Sequence, residues 1–64
     1  MRLSKFQTVV LNHLRIAGYP LTLNVIAKEI SYSKSLVISS LIYLERMGVI
    51  SVVRRQGVSY YCAN

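Results

Sequence analysis

Carboxylates are the first side chains to consider for catalysis, and this sequence has only two, Glu29 and Glu45. General acid–base catalysis needs two groups held around one reacting atom. These glutamates are far apart in the sequence, and both fall at outward positions of predicted helices, where water can solvate them. The single histidine, His13, falls near the edge of a predicted core, where a partly buried imidazole with one hydrogen-bonded nitrogen is the commoner state. We therefore expect that the protein is not an enzyme.

The sequence lacks the residues that a metal site or a disulfide would need. Cys62 is the only cysteine, so no internal disulfide can form, and no second cysteine or histidine completes a set of metal ligands. We expect no cofactor, and a location in the reducing cytoplasm. No apolar stretch approaches the roughly 20 residues of a membrane-spanning helix, so we expect no membrane partner.

Basic residues, in contrast, are abundant. Eight lysines and arginines oppose two acids, which gives a formal net charge of +6 for 64 residues, and such a charge suits a polyanionic partner. The basic positions are spread along the chain, which favours a folded basic surface over a solvated tail. Most of them fall at the start, around the centre and near the end: Arg2, Lys5, Lys28, Lys34, Arg46, Arg54 and Arg55.

Local signals predict two helices in the first half of the chain. Ser4 can cap the first helix and Gly18 can end it. The second begins at Thr22 or Asn24 and is short, with about eight residues. Apolar residues at helical spacing form the inward face of the first helix: Phe6, Val9, Val10, Leu14 and Ala17. The second helix has an equivalent face: Leu23, Ile26, Ala27 and Ile30.

A third helix and a hairpin are predicted for the second half. Ser33 can cap a helix that runs from Lys34 to Met47 and stops at Gly48. Its inward stripe consists of Val37, Leu41 and Leu44. Residues 49–53 and 58–61 are rich in β-branched and aromatic types and read as strands joined by a turn over 54–57. The predicted fold is therefore α+β, mainly α, a single domain over residues 1–64 with three helices followed by a two-stranded hairpin.

Two surfaces of this fold could bind a polyanion. Hydroxyl and basic groups at the start of the third helix suit contacts with phosphates and base edges, although they could also be an ordinary solvated face. The outer surface of this helix carries Ser33, Lys34, Ser35, Ser39, Tyr43 and Arg46. The hairpin tip, with Arg54, Arg55 and Gln56, could reach a minor groove or a phosphate ridge, although many surface hairpins carry basic tips.

The spacing of these elements resembles that of winged helix-turn-helix transcription regulators over Leu23 to Tyr61. The matching segments are Ile26-Ala27-Lys28-Glu29-Ile30, the cap Ser33, and Leu44-Glu45-Arg46-Met47-Gly48-Val49-Ile50. The last segment, followed by an arginine-rich hairpin, resembles the multiple-antibiotic-resistance, arsenic-resistance and small fimbrial regulators. The resemblance implies binding to double-stranded DNA. It also implies a recognition helix that carries Lys34, Ser35, Ser39 and Tyr43, and a wing that carries Arg54 and Arg55.

The sequence departs from this pattern at Leu36, Ile38 and Ile42, where such regulators often have polar or basic residues. Exposed apolar side chains often mark a protein interface. In a chain with 53% hydrophobic residues, self-association is the first explanation. We therefore expect a sequence-specific DNA-binding protein that regulates transcription by occupying an operator, as a homodimer or with a partner, without a small-molecule effector domain.

Two other functions remain open. The apolar residues of the third helix could make the domain a protein-binding module, in which the positive charge only aids solubility or steering. RNA binding would be favoured if several of the five tyrosines were exposed as stacking platforms. We expect Tyr32 and Tyr60 to pack at the core and Tyr43 to point outward.

Overall fold

The computed structural model describes residues 2–64, so Met1 of the predicted domain lies outside it. The predicted order of three helices and a hairpin is confirmed. The elements are α1 (Lys5–Ala17), α2 (Leu23–Ile30), α3 (Lys34–Arg46), β1 (Ile50–Arg55) and β2 (Val58–Ala63). Among the described residues, no helix is long and apolar enough to cross a membrane.

The ends of α1 follow from its capping residues, as predicted. The Ser4 hydroxyl accepts a hydrogen bond from the Gln7 backbone N–H at 3.3 Å, and the Gln7 side chain accepts one from the Ser4 N–H at 2.9 Å. This reciprocal capping box satisfies two donors that have no partner within the helix. Gly18 ends the helix with φ 71°, a conformation that glycine adopts without steric cost.

The turn between α2 and α3 has only three residues, 31–33, and its two ends are the C-cap of α2 at Ser31 and the N-cap of α3 at Ser33. Thr22, the earlier of the two predicted starts, caps α2 by accepting from the Val25 N–H at 3.3 Å. Ser31 ends α2 in the left-handed conformation, with φ 59°, which residues with a Cβ rarely adopt. Helix α3 ends at Arg46, one residue before the predicted end, and Met47 is its C-cap.

The hairpin is longer than predicted. Arg54 and Arg55 belong to β1, where they pair with Ser59 and Val58 of β2, and the turn is reduced to residues 56–57. Gln56 and Gly57 have φ of 52° and 78°, which are the signs of a two-residue type I′ turn. The predicted four-residue turn was therefore wrong, because cross-strand pairing carries both arginines into the ladder.

A third strand segment of a single residue completes the sheet. Leu21 pairs with Tyr61 of β2 in antiparallel fashion, on the edge of β2 opposite to β1. This bridge joins the loop before α2 to the hairpin, and it was not predicted. Since Leu21 is itself buried, the bridge anchors the hairpin against the helices.

The core lies between the three helices and the inner face of the hairpin. Its fully buried side chains are Leu14, Ile26, Leu41, Leu44, Val10 and Val37, all of them predicted to face inward. Leu11 is also buried, although it was not predicted. Phe6 was predicted to face inward but is 40% exposed, and its ring forms a T-shaped pair with the Tyr32 ring, with ring centroids 5.0 Å apart.

Candidate nucleic-acid interface

The amino end of α3 presents a free cation beside a helix cap. The Ser33 hydroxyl accepts from the Leu36 N–H at 3.3 Å, so its oxygen holds the helix start while its O–H remains available to donate outward. Lys34 and Ser35 follow at the first helical positions, and both are exposed. The free amides of a first helical turn carry partial positive charge, so this end of α3 suits an anion.

The serines of α3 differ in what they can offer a ligand. The Ser39 hydroxyl donates to the Ser35 backbone carbonyl at 2.8 Å, which leaves its oxygen free to accept. Among residues 2–64, no hydrogen bond to another residue involves the Ser35 side chain. Ser35 is therefore the one serine of this group with both its donor and its acceptor available.

Two other predicted positions on α3 have different exposures. Tyr43 was predicted to point outward, but its side chain is half-buried on one flank of the helix. Arg46 is exposed at the last helical residue, where a cation interacts favourably with the helix dipole. The outward surface of α3 is thus cationic at both ends.

The hairpin end carries its two arginines on opposite faces of the sheet. Successive side chains of a strand alternate between faces, so Arg54 shares the inner face with buried Ile50, while Arg55 shares the outer face with Val53. Both arginines are exposed. Gln56 is exposed at the turn itself. Two guanidinium groups on opposite sides of one thin hairpin could contact two phosphates of one duplex.

The protein's own acids do not neutralise these cations. Within the described chain, the only close contact between an acidic side chain and a basic or imidazole side chain is the hydrogen bond between the His13 Nε2 and the Glu29 Oε1 at 2.6 Å, which ties α1 to α2. It was not predicted, because the two residues are on separate helices. The groups at the end of the hairpin and the start of α3 are therefore available for an external anion.

The three apolar residues that departed from the family pattern do not share one environment. Leu36 and Ile42 are 40% and 50% exposed, whereas Ile38 is half-buried and packs against the core. At about 100° per residue, the two exposed residues Leu36 and Ile42 lie about 120° apart around the helix axis. Exposed apolar surface on α3 is thus present, but it is divided between two flanks.

Sequence reasoning missed a groove between the start of α2 and the end of the hairpin. Its polar lining comes from Thr22, Asn24 and Ser59. Asn24 had appeared only as a possible helix start, and Ser59 only as a strand residue. No local signal could have joined them, because the groove exists only once Leu21 pairs with Tyr61.

Three helices followed by a two-stranded hairpin, with α2 and α3 joined by a short turn, form a winged helix-turn-helix domain. Searches with the sequence gave no match to a protein-family model and none to a curated protein. The fold does have close structural neighbours.

One neighbour comes from a structural study of the DNA recognition and protein interaction domains of HOP2. It superposes with a TM-score of 0.82 at 21% identity, covering 92% of this chain and 98% of that one. A candidate DNA-binding protein from Ralstonia eutropha JMP134 gives a TM-score of 0.83 at 25% identity, with 98% and 85% covered.

The PcaV transcriptional regulator of Streptomyces coelicolor, solved with its natural ligand, gives a TM-score of 0.84 at 22% identity. The match covers 97% of this chain but 45% of the PcaV chain. More than half of PcaV therefore has no counterpart among the residues compared. These similarities confirm the winged-helix fold that the sequence predicted.

Proposed function

We propose that this protein binds double-stranded DNA at preferred sequences and regulates transcription by occupying an operator, as a homodimer or beside a partner. One observation carries the proposal: cations without acidic partners occupy both the amino end of α3 and the end of the hairpin. In a winged helix, the start of the recognition helix and the end of the hairpin can contact the same DNA duplex. The neighbours described as DNA-binding or as a transcriptional regulator add support.

The two parts have different tasks in the proposed mechanism. Arg54 and Arg55 contact phosphates, which supply affinity for any sequence and make binding depend on salt. Lys34 and Ser35 enter the major groove first, where their donors can reach base edges and select a site. Ser39 follows one helical turn later with an acceptor oxygen, and Tyr43 flanks the same surface.

Binding alone is sufficient for this role, and we propose no catalytic step. Glu29 is engaged by His13, and Glu45 lies on a different helix. Regulation would depend on protein abundance, on a partner or on the state of the DNA. The proposed site of action is the cytoplasm.

Two double variants test this division of tasks. Lys34→Ala with Ser35→Ala should reduce the preference for a selected site over random duplex. Arg54→Ala with Arg55→Ala should weaken binding to all duplexes and reduce the slope of log affinity against log salt by about one per lost phosphate contact. The measurement is fluorescence anisotropy with labelled duplexes at two salt concentrations.

Arg15→Ala with Lys28→Ala is the matched control, because it removes the same formal charge from exposed positions of α1 and α2 outside the proposed interface. It should affect affinity less than the hairpin variant does. If the control and the hairpin variant weaken binding equally, net charge rather than the hairpin determines affinity. If both test variants bind like the parent, the docking surface is wrong.

Exposure of Leu36 and Ile42 favours protein binding as the second candidate function. It predicts a folded protein that fails to bind duplex even at low salt and that recognises its partner with little salt dependence. RNA binding has less support, because four of the five tyrosines are half-buried and only Tyr19 is exposed. The same titration with single-stranded RNA separates these alternatives.

A further inference from the structure

Strand β1 has one edge that no other strand covers. Within residues 2–64 the sheet has the order β1-β2, and the Leu21 bridge lies on the far side of β2. The Tyr61 N–H donates to the Leu21 carbonyl at 2.7 Å, and the Leu21 N–H donates back at 2.8 Å. Tyr61 therefore turns its backbone groups away from β1.

The register then shows which groups of β1 point outward. Val52 is opposite Tyr61, and the two residues of an antiparallel pair either bond each other or both point away. Since Tyr61 bonds to Leu21, Val52 must direct its N–H and C=O to the free edge, and so must Arg54, two residues on. The Asn64 N–H that donates to the Val49 carbonyl fits this alternation.

We propose that this edge pairs with the same edge of a second copy, so that two hairpins form one four-stranded antiparallel sheet. An antiparallel edge is self-complementary about a two-fold axis, and this isologous arrangement is typical of homodimers. Centring the axis on Val52 lets the two Val52 residues exchange N–H to C=O hydrogen bonds. Arg54 then lies opposite Ile50 of the other copy.

Charge disfavours the neighbouring register that is centred on Arg54. With the axis at Val52, the two Arg54 positions are four residues apart along the strands, or about 13 Å. That separation exceeds the screening length of about 8 Å at physiological ionic strength. With the axis at Arg54 itself, like charges would be directly opposite, which is destabilising.

The arrangement also suits the proposed DNA binding, which it deepens. The two-fold axis is perpendicular to the four-stranded sheet, so the helices of both copies lie on the same face of that sheet. Both α3 helices are therefore on the same side of the dimer. The apolar residues of α3 offer a poorer dimer surface, because they are divided between two flanks and Ile38 is partly used by the core.

The variant Val52→Pro tests the inference, because proline removes an N–H that only the second copy would use. Proline is tolerated on edge strands where that N–H faces solvent. Ser59→Pro is the matched control: Ser59 is opposite Arg54, so its N–H points to the far edge of β2. Sedimentation equilibrium of the protein without DNA measures the mass, and circular dichroism checks the fold.

We expect the parent and Ser59→Pro to dimerise with similar affinity and Val52→Pro to dimerise at least tenfold more weakly. Higher salt should strengthen the dimer, since each copy carries +6, although it weakens DNA binding. Hydrogen exchange of the backbone amides is measured on the parent protein, so it does not depend on whether the variants fold. The Val52 N–H should become protected from exchange as protein concentration rises, and the Ser59 N–H should not.

A monomeric parent, an unchanged dimer of Val52→Pro, or a Val52 N–H that stays unprotected in the dimer would each overturn the proposed edge pairing. None of these results concerns DNA. A monomer that still binds duplex with the predicted salt dependence would retain the proposed function and reject only this dimer.

Discussion

At the scale of single residues, the serines around the start of α3 have separate physical tasks. Ser33 stabilises the helix, because its hydroxyl accepts from the Leu36 N–H. Ser35, two residues later, makes no comparable hydrogen bond and is exposed. Sequence alone suggested both as ligands of DNA. The structure separates a residue that holds the recognition surface from one that is free to contact a base.

Replacing each of these serines by alanine should reveal this difference. Ser33→Ala should lower the free energy of unfolding by about 1 kcal/mol, the typical cost of losing an N-cap. Ser35→Ala should leave stability unchanged or raise it slightly, because alanine is the best helix former. Urea unfolding followed by circular dichroism measures both. Equal losses in the two variants would show that the cap contributes little.

At the scale of elements, the hairpin turn stores a small amount of strain. Gln56 has φ 52°, in the left-handed region that side chains with a Cβ rarely occupy. Asparagine tolerates this region better, and Asn-Gly is the preferred pair for a type I′ turn. The sequence instead has Gln56 next to Gly57, so the turn geometry is imposed by strand pairing and by one favourable glycine.

Gln56→Asn should therefore stabilise the protein by roughly 0.5–1 kcal/mol, by matching the residue to the backbone that the turn requires. For a domain of this size, that gain corresponds to an increase in the midpoint of thermal unfolding of roughly 2–8 °C. Gln56→Ala is the control, because alanine has no such tolerance and should give no gain. A stabilising alanine variant would point to a side-chain effect unrelated to backbone conformation.

At the scale of the whole molecule, the core is small. Six aliphatic side chains are fully buried, and a single core in a chain of this length usually supplies only about 3–5 kcal/mol. Loss of one large side chain can therefore remove most of the stability. Pairing with a second copy would add stability by mass action.

Leu41→Ala should leave a substantial fraction of the protein unfolded at 25 °C, because truncation of a fully buried leucine costs about 2–5 kcal/mol. Leu36→Ala, on the same helix but 40% exposed, should cost much less. Thermal unfolding of the two variants at one protein concentration provides the comparison. A Leu41→Ala variant as stable as Leu36→Ala would mean that the core can collapse around the cavity.

Local signals in the sequence were sufficient to predict the three helices and their order. The caps Ser4, Thr22 and Ser33 act on amides three residues later, so their effects can be read locally. Apolar spacing identified the buried stripe of each helix for the same reason. The basic residues of the candidate interface could also be read directly, since charge is a property of residue type.

Contacts between residues that are distant in the sequence could not be predicted and are seen only in the folded chain. Pairing of Leu21 with Tyr61, the contact of His13 with Glu29 and the extension of β1 through Arg55 all depend on segments that are remote in sequence. Phe6, predicted to face inward, is exposed, and Leu11, which was not assigned to the inward face, is buried. Helix α1 packs against both α3 and β2, and the apolar pattern does not specify which partner prevails. The sequence also does not show which strand edge is left unpaired, because every residue except proline has the same backbone donor and acceptor. The unpaired edge is defined only when the strands come together in the sheet.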